Sequence, residues 1–351
     1  MTINRNTKKI KIGNIKIGST ENIAIQSMLN IASNDIEGNI TQAISLKNSG
    51  CDIIRVAIPN MDAIQLIYKI KSEIDTPIVA DIHFDYKLAI ESIEAGIDKI
   101  RINPGNIGSE ENIKKVVRAC QKHNIPIRIG VNSGSLEKDI LKKYFKCTPE
   151  AMVESALLNI KILEKYDFDN IVISLKSSNV VDTVAAYRII SKKINYPLHL
   201  GITESGISKY GIVKSSIGIG SLLLDGIGDT IRVSLTSDPI EEIMVAKKIL
   251  KYTGNNNTGI DIISCPTCGR AKIDVIKISN LLDQAMCNIN KNITIAIMGC
   301  VVNGPGEAKD ADIGIAGGNG CGVLFKKGEI IKKCDETDIV DTIIEEINNM
   351  L

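Results

Sequence analysis

Between Lys8 and Ser19 apolar and polar positions alternate: Ile10, Ile12, then Gly13-Asn14, then Ile15 and Ile17. Alternation on both sides of a Gly-Asn pair predicts a β-hairpin over 8–19. The pattern then changes. Eight apolar runs recur at 23–28, 53–58, 77–84, 99–103, 126–131, 170–175, 197–202 and 230–235, each followed by a stretch of helical period. Near-continuous apolar runs of this length suit strands buried on both faces, as in a parallel sheet. The helical stretches carry start signals. Ser109, followed by Glu110 and Glu111, reads as an N-cap with an acidic first turn, and Ile113, Val116, Val117 and Cys120 as the core face. Asp238-Pro239-Ile240-Glu241 reads as another start, with Pro at the first helical position. Eight β-then-α units predict a TIM (β/α)8 barrel over 1–252 with the hairpin plugging its bottom; an open doubly wound sheet is the alternative.

The rhythm breaks at 253–259, Thr-Gly-Asn-Asn-Asn-Thr-Gly, which reads as a polar linker. Beyond it a run at 260–263 leads into Cys265-Pro266-Thr267-Cys268-Gly269-Arg270. A helical stretch covers roughly 271–287, and a run at 293–298 leads into Gly299-Cys300. Two more strand runs, 311–316 and 321–325, precede an amphipathic helix over roughly 338–351. That is a small α/β domain over 260–351.

Composition mostly excludes. A chain of 351 residues at 44% hydrophobic content supports two cores. Net charge of +1 gives no bulk attraction to nucleic acid or membrane, and 3% aromatic content without Trp argues against a base-stacking surface. No apolar run approaches the roughly 20 residues of a membrane span. The polar, basic first nine residues lack the apolar core of a secretory signal. Nine cysteines then point to a reducing, cytoplasmic setting, where thiols bind metals rather than each other.

Cys265, Cys268 and Cys300 each follow an apolar run, so two strand ends side by side would bring three thiolates to one sheet edge. Such thiolates bind zinc, hold an iron–sulfur cluster, or exchange disulfides. A structural zinc site wants four protein ligands; the second Cys pair is absent, and no histidine lies beyond His199. Seven residues after Cys300 comes Glu307, in a Gly- and Pro-rich loop. A 4Fe-4S cluster on three thiolates and one displaceable carboxylate fits.

In a TIM barrel the chemistry sits at the C-terminal ends of the strands. Those ends carry Arg55; Asp81 and His83; Arg101 and Asn103; Arg128 and Asn132; Lys176; Glu204; and Arg232 with Ser234. Arg101 and Asn103 share one face of their strand, as do Arg128 and Asn132. Four arginines and a lysine converge against few carboxylates, and buried cations need anionic partners. The surplus suits a polyanion of diphosphate size. His199, early in its run, reads as a structural core histidine. Asp229 reads equally as a cap or a functional carboxylate. The other six cysteines read as plain small residues.

C-P-T-C-G-R and M-G-C-V-V-N-G-P-G-E-A, together with K-I-R-I-N-P-G-N-I-G, G-V-N-S-G-S-L, S-L-K-S-S and G-I-T-E-S-G in the barrel half, resemble the GcpE/IspG family. These are the 4-hydroxy-3-methylbut-2-enyl diphosphate synthases of non-mevalonate isoprenoid biosynthesis. The resemblance implies an oxidoreductase that opens 2-C-methyl-D-erythritol 2,4-cyclodiphosphate reductively. It implies a 4Fe-4S cluster on Cys265, Cys268, Cys300 and Glu307. By the same likeness Arg55, His83, Arg101, Asn103, Arg128, Asn132, Lys176 and Ser234 bind the diphosphate and hydroxyls. Asp81 and Glu204 would lie near the reacting carbons, with Glu204 the proton donor. Relatives of this kind form homodimers, the cluster domain of one subunit covering the barrel mouth of the other. No dinucleotide fingerprint follows a predicted strand, so electrons would come from a flavodoxin or ferredoxin. One departure appears: Leu29 and Ile31 stand where the family has threonines after Gln26-Ser27-Met28. Two other readings are a barrel lyase or transferase on a phosphorylated substrate with a structural zinc tail, and a non-catalytic iron–sulfur carrier or sensor.

Overall fold

The computed structural model describes residues 5–256, 259–286, 289, 291–301 and 308–350. The chain divides into two compact units, Met1–Asn255 and Asn256–Leu351.

In the first unit the hairpin consists of β1 (Ile10–Ile12) and β2 (Ile15–Ile17), with Ile10 opposite Ile17 and Ile12 opposite Ile15. Gly13 takes φ +56 at the first central position of its two-residue turn, where a glycine costs least. Eight parallel strands follow: β3 (Ala24–Met28), β4 (Ile53–Ala57), β5 (Ile78–Asp81), β6 (Lys99–Ile102), β7 (Ile127–Asn132), β8 (Ile171–Lys176), β9 (His199–Leu200) and β10 (Thr230–Ile231). Their order is β8-β7-β6-β5-β4-β3-β10-β9, and a parallel bridge between Ile173 and Leu198 closes the ring. The fold is the TIM barrel. The last two strands are shorter than their apolar runs, although pairing continues one step further as the Arg232 N–H donates to the Leu200 carbonyl at 2.9 Å.

The outer layer is α1 (Ile36–Asn48), α2 (Ile64–Glu73), α3 (Tyr86–Glu94), α4 (Glu110–His123), a short α5 (Lys138–Tyr144), α6 (Pro149–Glu164), α7 (Val180–Ile190), α8 (Ser208–Leu224) and α9 (Pro239–Tyr252). Ser109 and Asp238 cap α4 and α9 as their sequences predict, accepting from Asn112 N–H and Ile240 N–H.

Strand alternation sorts the side chains. One face, including Ile54, Val56, Ile78, Ala80, Ile100, Ile102, Ile127 and Ile129, packs against the helices in the main core. The other face points into the barrel. At its floor Ile10, Ile12 and Ile17 of the hairpin pack on Ala24, Ile53, Val79 and Val172. The plug is therefore an apolar stopper at the N-terminal ends of the strands. Above that floor the inward residues turn polar.

In the second unit five strands, β11 (Ile260–Ser264), β12 (Ile293–Met298), β13 (Ile313–Gly318), β14 (Cys321–Lys326) and β15 (Glu329–Asp335), lie in sequence order. The first three are parallel and the last two antiparallel. Helices α10 (Val275–Met286) and α11 (Ile339–Asn348) cover one face, where Ile278, Leu282, Ile339 and Ile343 meet Ile293, Ile295 and Ile315. Helix α10 begins later than the hydrophobic period predicts because the Asp274 carboxylate caps it, accepting from Lys277 N–H at 2.9 Å. Its predicted end, residue 287, lies outside the described residues. Strand β15 is absent from the sequence expectation; it is a largely polar edge strand, with Lys332 and Lys333 of the kind that blunts an edge.

Candidate active site

The barrel interior is organised around Asp81, whose side chain is only 3% exposed. One carboxylate oxygen accepts from Arg55 Nη2 at 2.5 Å and lies 3.2 Å from His83 Nε2; the other accepts from Arg101 Nη1 at 3.2 Å. Burial alone would raise the Asp81 carboxyl. The Arg55 charge, the His83 bond and the Arg101 charge outweigh it and hold Asp81 well below the usual carboxylate range. Arg232 has its own buried carboxylate, Glu242 on α9, at 3.5 Å. Glu242 is fixed in turn by Ser27 Oγ at 3.0 Å and Leu235 N–H at 3.0 Å.

Among the described residues the remaining cations have no such partners. Arg128 is 1% exposed, and its Nε and Nη1 are buried without a hydrogen bond among the described residues. Lys176 is buried, and burial followed by the charges of Arg128, Arg232, Arg55 and Arg101 pushes its amine well below the ordinary lysine value. Two glycines make room for these groups. A Cβ on Gly130 would lie 2.4 Å from Arg101 Nε, and one on Gly201 would lie 2.7 Å from the Arg232 carbonyl and 3.0 Å from Lys176 Nζ. The G-V-N-S-G and G-I-T-E-S-G motifs thus each begin with a residue whose missing side chain seats a cation.

Around the rim, Asn103 is buried and its Oδ1 accepts from Gly105 N–H at 3.2 Å, while Asn132 is half-buried at the end of β7. Ser234 is half-buried and its carbonyl accepts from Ser205 Oγ. Glu204 is exposed, with φ +52, a left-handed conformation uncommon for a non-glycine residue and characteristic of functional loops. Leu29 is buried and Ile31 exposed, so the end of β3 presents no polar side chain at those two positions.

His199 and Asp229 take structural places. His199 is fully buried with Nδ1 2.8 Å from Thr230 Oγ1; burial, then the charges of Arg128, Lys176, Lys99 and Arg55, push its imidazole far down, so it is neutral. Asp229 accepts from Thr7 Oγ1 and Leu198 N–H, both at 2.7 Å, tying the N-terminal segment to the start of β9. Sequence reasoning passed over Gln26, Lys99 and Glu242. Lys99 shares the inward alternation of Arg101 and Asn103, a signal that was available. Glu242 could have been found as the one carboxylate on the buried face of α9.

In the second unit Ser264 pairs with Ile297, so Cys265 and Cys300 follow neighbouring parallel strand ends. The Gly299 N–H donates to Cys265 Sγ at 3.2 Å. Cys268 is exposed; the Arg270 N–H and then the Arg270 charge pull its thiol below the ordinary value. Gly317 on β13 allows close approach, since a Cβ there would lie 2.5 Å from the Gly299 carbonyl. Glu307 lies outside the described residues. Among the described residues no three His, Cys, Asp or Glu side chains are gathered around one point. The donors fit a soft metal centre: cysteine sulfurs follow adjacent strand ends, and the Arg270 N–H and charge favour the thiolate of Cys268 between them in sequence.

Known proteins place this arrangement. The barrel half, 7–247, matches the family described as GcpE TIM-barrel domain, and 261–349 matches the GcpE protein C-terminal domain. A 4-hydroxy-3-methylbut-2-en-1-yl diphosphate synthase (flavodoxin) from Clostridium perfringens is 57% identical over 99% of both chains. One from Caldanaerobacter subterraneus is 58% identical over 98% of this chain and 97% of its own. Among solved structures, the 7,8-dihydropteroate synthase of Vibrio fischeri covers 70% of this chain and 98% of its own at 13% identity and TM-score 0.51, a likeness of barrel fold alone. With both halves matched in order and relatives aligned almost end to end, the chain belongs to the GcpE family.

Proposed function

We propose that this chain is a 4-hydroxy-3-methylbut-2-enyl diphosphate synthase, converting 2-C-methyl-D-erythritol 2,4-cyclodiphosphate to 4-hydroxy-3-methylbut-2-enyl diphosphate. The observation that carries the reading is the surplus of buried cations in the barrel: among the described residues neither Arg128 nor Lys176 forms an ion pair with a carboxylate, and Arg128 Nε and Nη1 have no hydrogen bond. A diphosphate supplies the missing charge. The overall change opens one ring C–O bond and expels one hydroxyl as water; for the ionised species it consumes two electrons and one proton.

The residues divide the work. Arg55, Arg101, Arg128, Lys176 and Arg232 hold the diphosphate and stabilise the charge that grows on it as the ring opens. His83, Asn103, Asn132 and Ser234 offer hydrogen bonds to its oxygens and hydroxyls. Asp81 acts as a positioning residue. Held ionised between two arginines, it is a poor proton donor and a good clamp for both guanidinium groups. Glu204, exposed at the rim, gives the proton to the departing hydroxyl. Cys265, Cys268, Cys300 and Glu307 would hold a 4Fe-4S cluster, which when bound supplies electrons singly. Substrate binding on 1–252 and cluster binding on 260–351, joined by a linker at 253–259, is part of the proposal. So is a flavodoxin as electron donor, the donor in the relatives' names. A homodimer is proposed as well. It is supported by Ile31, Met61, Phe84, Phe145 and Ile207, all exposed apolar side chains on the connections that leave the C-terminal ends of the barrel strands, and by the exposed Val181 in the first turn of α7. No helix among the described residues is long and apolar enough to cross a membrane.

The test is anaerobic purification with iron and sulfide analysis, then turnover of the cyclic diphosphate with reduced flavodoxin. Arg101→Met and Lys176→Met should keep full iron and lose substrate affinity, by roughly 2–5 kcal/mol each. Unchanged affinity in both variants sinks the barrel assignment.

A further inference from the structure

Beneath the rim and above the hairpin stopper lies a set of buried polar atoms that the proposed contacts leave unexplained. Lys99 on β6 is 0% exposed, and its Nζ has no hydrogen bond among the described residues. Gln26 on β3 is buried with both amide atoms unpartnered, and His199 on β9 has an unpartnered Nε2. Arg128 on β7, already assigned to the diphosphate, brings its unpartnered Nε and Nη1 and its charge near Lys99. Interiors of such barrels are ordinarily filled by branched apolar side chains, so a barrel that had only to stand would carry Val or Ile here. Leaving these donors unpaired costs stability in the free protein.

The charged groups around Lys99 come from several strands. Arg55 on β4 and Arg128 on β7 repel its ammonium form, and burial disfavours that form more strongly still, so the amine is far less basic than an ordinary lysine. The neighbouring strand β5 offers one carboxylate, Asp81, already occupied by Arg55, Arg101 and His83. Lys176 on β8 and the neutral His199 complete the surroundings without adding negative charge. Nothing described within the barrel supplies the anion that would let Lys99 hold its proton.

We propose that this buried layer is the floor of the anion site, that arrival of a diphosphate is accompanied by uptake of a proton from solvent, and that Lys99 is the group that takes it. The inference rests on the reading of the barrel as a diphosphate site. An incoming polyanion reverses the local potential, and the amine beneath it becomes ammonium. Lys99 then adds a cation beneath the arginines of the site, present only when there is negative charge to meet it. Free protein is spared one buried charge, and the occupied site gains one.

The experiment is calorimetric titration of the purified cluster-bearing protein with inorganic pyrophosphate, in buffers of differing ionisation enthalpy, from neutral to alkaline pH. Wild type should take up a substantial fraction of a proton per pyrophosphate, about one at most from this site. Lys99→Met should lose that uptake and bind roughly tenfold or more weakly. Its first thermal transition without ligand should move up by about 2–4 °C, because an unpaired buried amine is gone. A lysine that merely fills space predicts the opposite sign in the last measurement, so failure of Lys99→Met and Lys99→Gln to fold overturns the proposal. Undiminished proton uptake in Lys99→Met overturns it too, while leaving the diphosphate reading intact. Absence of pyrophosphate binding by wild type overturns both.

Discussion

The barrel interior and the cysteine-bearing edge of the second sheet solve opposite problems. In the barrel, the binding groups stand on strands, are largely buried, and are fixed before any ligand arrives: Asp81 clamps Arg55 and Arg101, Glu242 holds Arg232, and Gly130 and Gly201 leave the space they need. On the sheet edge the donors follow strand ends, Cys268 is exposed, and the described side chains are not gathered around a point. A hard polyanion is met by a preorganised field, which is where electrostatic catalysis gains most. A soft metal centre needs less preorganisation, because metal–thiolate bonds are strong enough to order their own loops.

The contrast is broken most sharply by removing one region and watching the other. Cys265→Ser, Cys268→Ser and Cys300→Ser should each abolish bound iron and all turnover. Pyrophosphate binding by the barrel should stay near wild type, since the first unit has its own core. Chelation of iron from wild type should give the same split. Retention of full iron and activity in any of the three variants refutes the ligand assignment. Loss of pyrophosphate binding along with iron would show that the barrel is not preorganised.

Asp81→Asn attacks the clamp from inside. It leaves two buried arginines without their counter-charge, a change that typically costs about 3–5 kcal/mol. The pH dependence has a definite sign. Asp81 titrates lower in the folded protein than in the unfolded chain, so its stabilisation is fully present above the unfolded carboxyl value of about 4 and fades as pH falls through the lower folded value. Urea melts of wild type and variant should differ most near neutrality and converge in strong acid. A gap that is constant with pH would mean that Asp81 contributes through shape and not through charge. Gly130→Ala is a milder perturbation of the same region. Its Cβ must displace the Arg101 guanidinium, so affinity for pyrophosphate should fall while stability drops by about 1–3 kcal/mol. Equal affinity would mean that Arg101 does not contact the ligand.

The two regions also differed in how far sequence could reach them. A barrel strand shows its inward face by alternation, so Arg101, Arg128 and Lys176 were readable as one converging set, and the structure gives each an inward position on a strand. Lys99 obeys the same alternation, so its inward place was legible too; what the run does not show is that its amine has no partner among the described residues. The stopper that floors the barrel comes from the distant residues Ile10, Ile12 and Ile17. Glu242 was legible by period, since it falls on the apolar face of α9 with Ile243, Ala246, Ile249 and Leu250, but that period does not say which cation it meets. At the sheet edge, the strands ahead of Cys265 and Cys300 were legible from their apolar runs. Strand β15 was not, since Lys332, Lys333 and Asp335 give an exposed edge no apolar period. Glu307 was legible only beside the cysteines, and its place lies outside the described residues.

The smallest predicted effect probes the sheet edge without its metal. In iron-free protein the thiols should alkylate in an order set by exposure and local charge. Cys268 is exposed and drawn toward thiolate by the Arg270 N–H and guanidinium, so it should react first with iodoacetamide. Cys51, buried beside β3 and β4 with its thiol pushed up to about 12, should react only on unfolding, and so should Cys120, raised further by burial alone. Arg270→Ala should slow Cys268 by no more than a few-fold, because the backbone N–H remains and an exposed charge is screened by salt. Raising the salt concentration should slow wild type toward the variant's rate and leave the variant unmoved. Peptide mapping of timed alkylations, for both proteins at low and high salt, reads each of these rates. If Cys268 is no faster than the other accessible thiols, or if salt slows both proteins alike, the sheet edge holds no thiolate ready for metal and must be shaped entirely by its ligand.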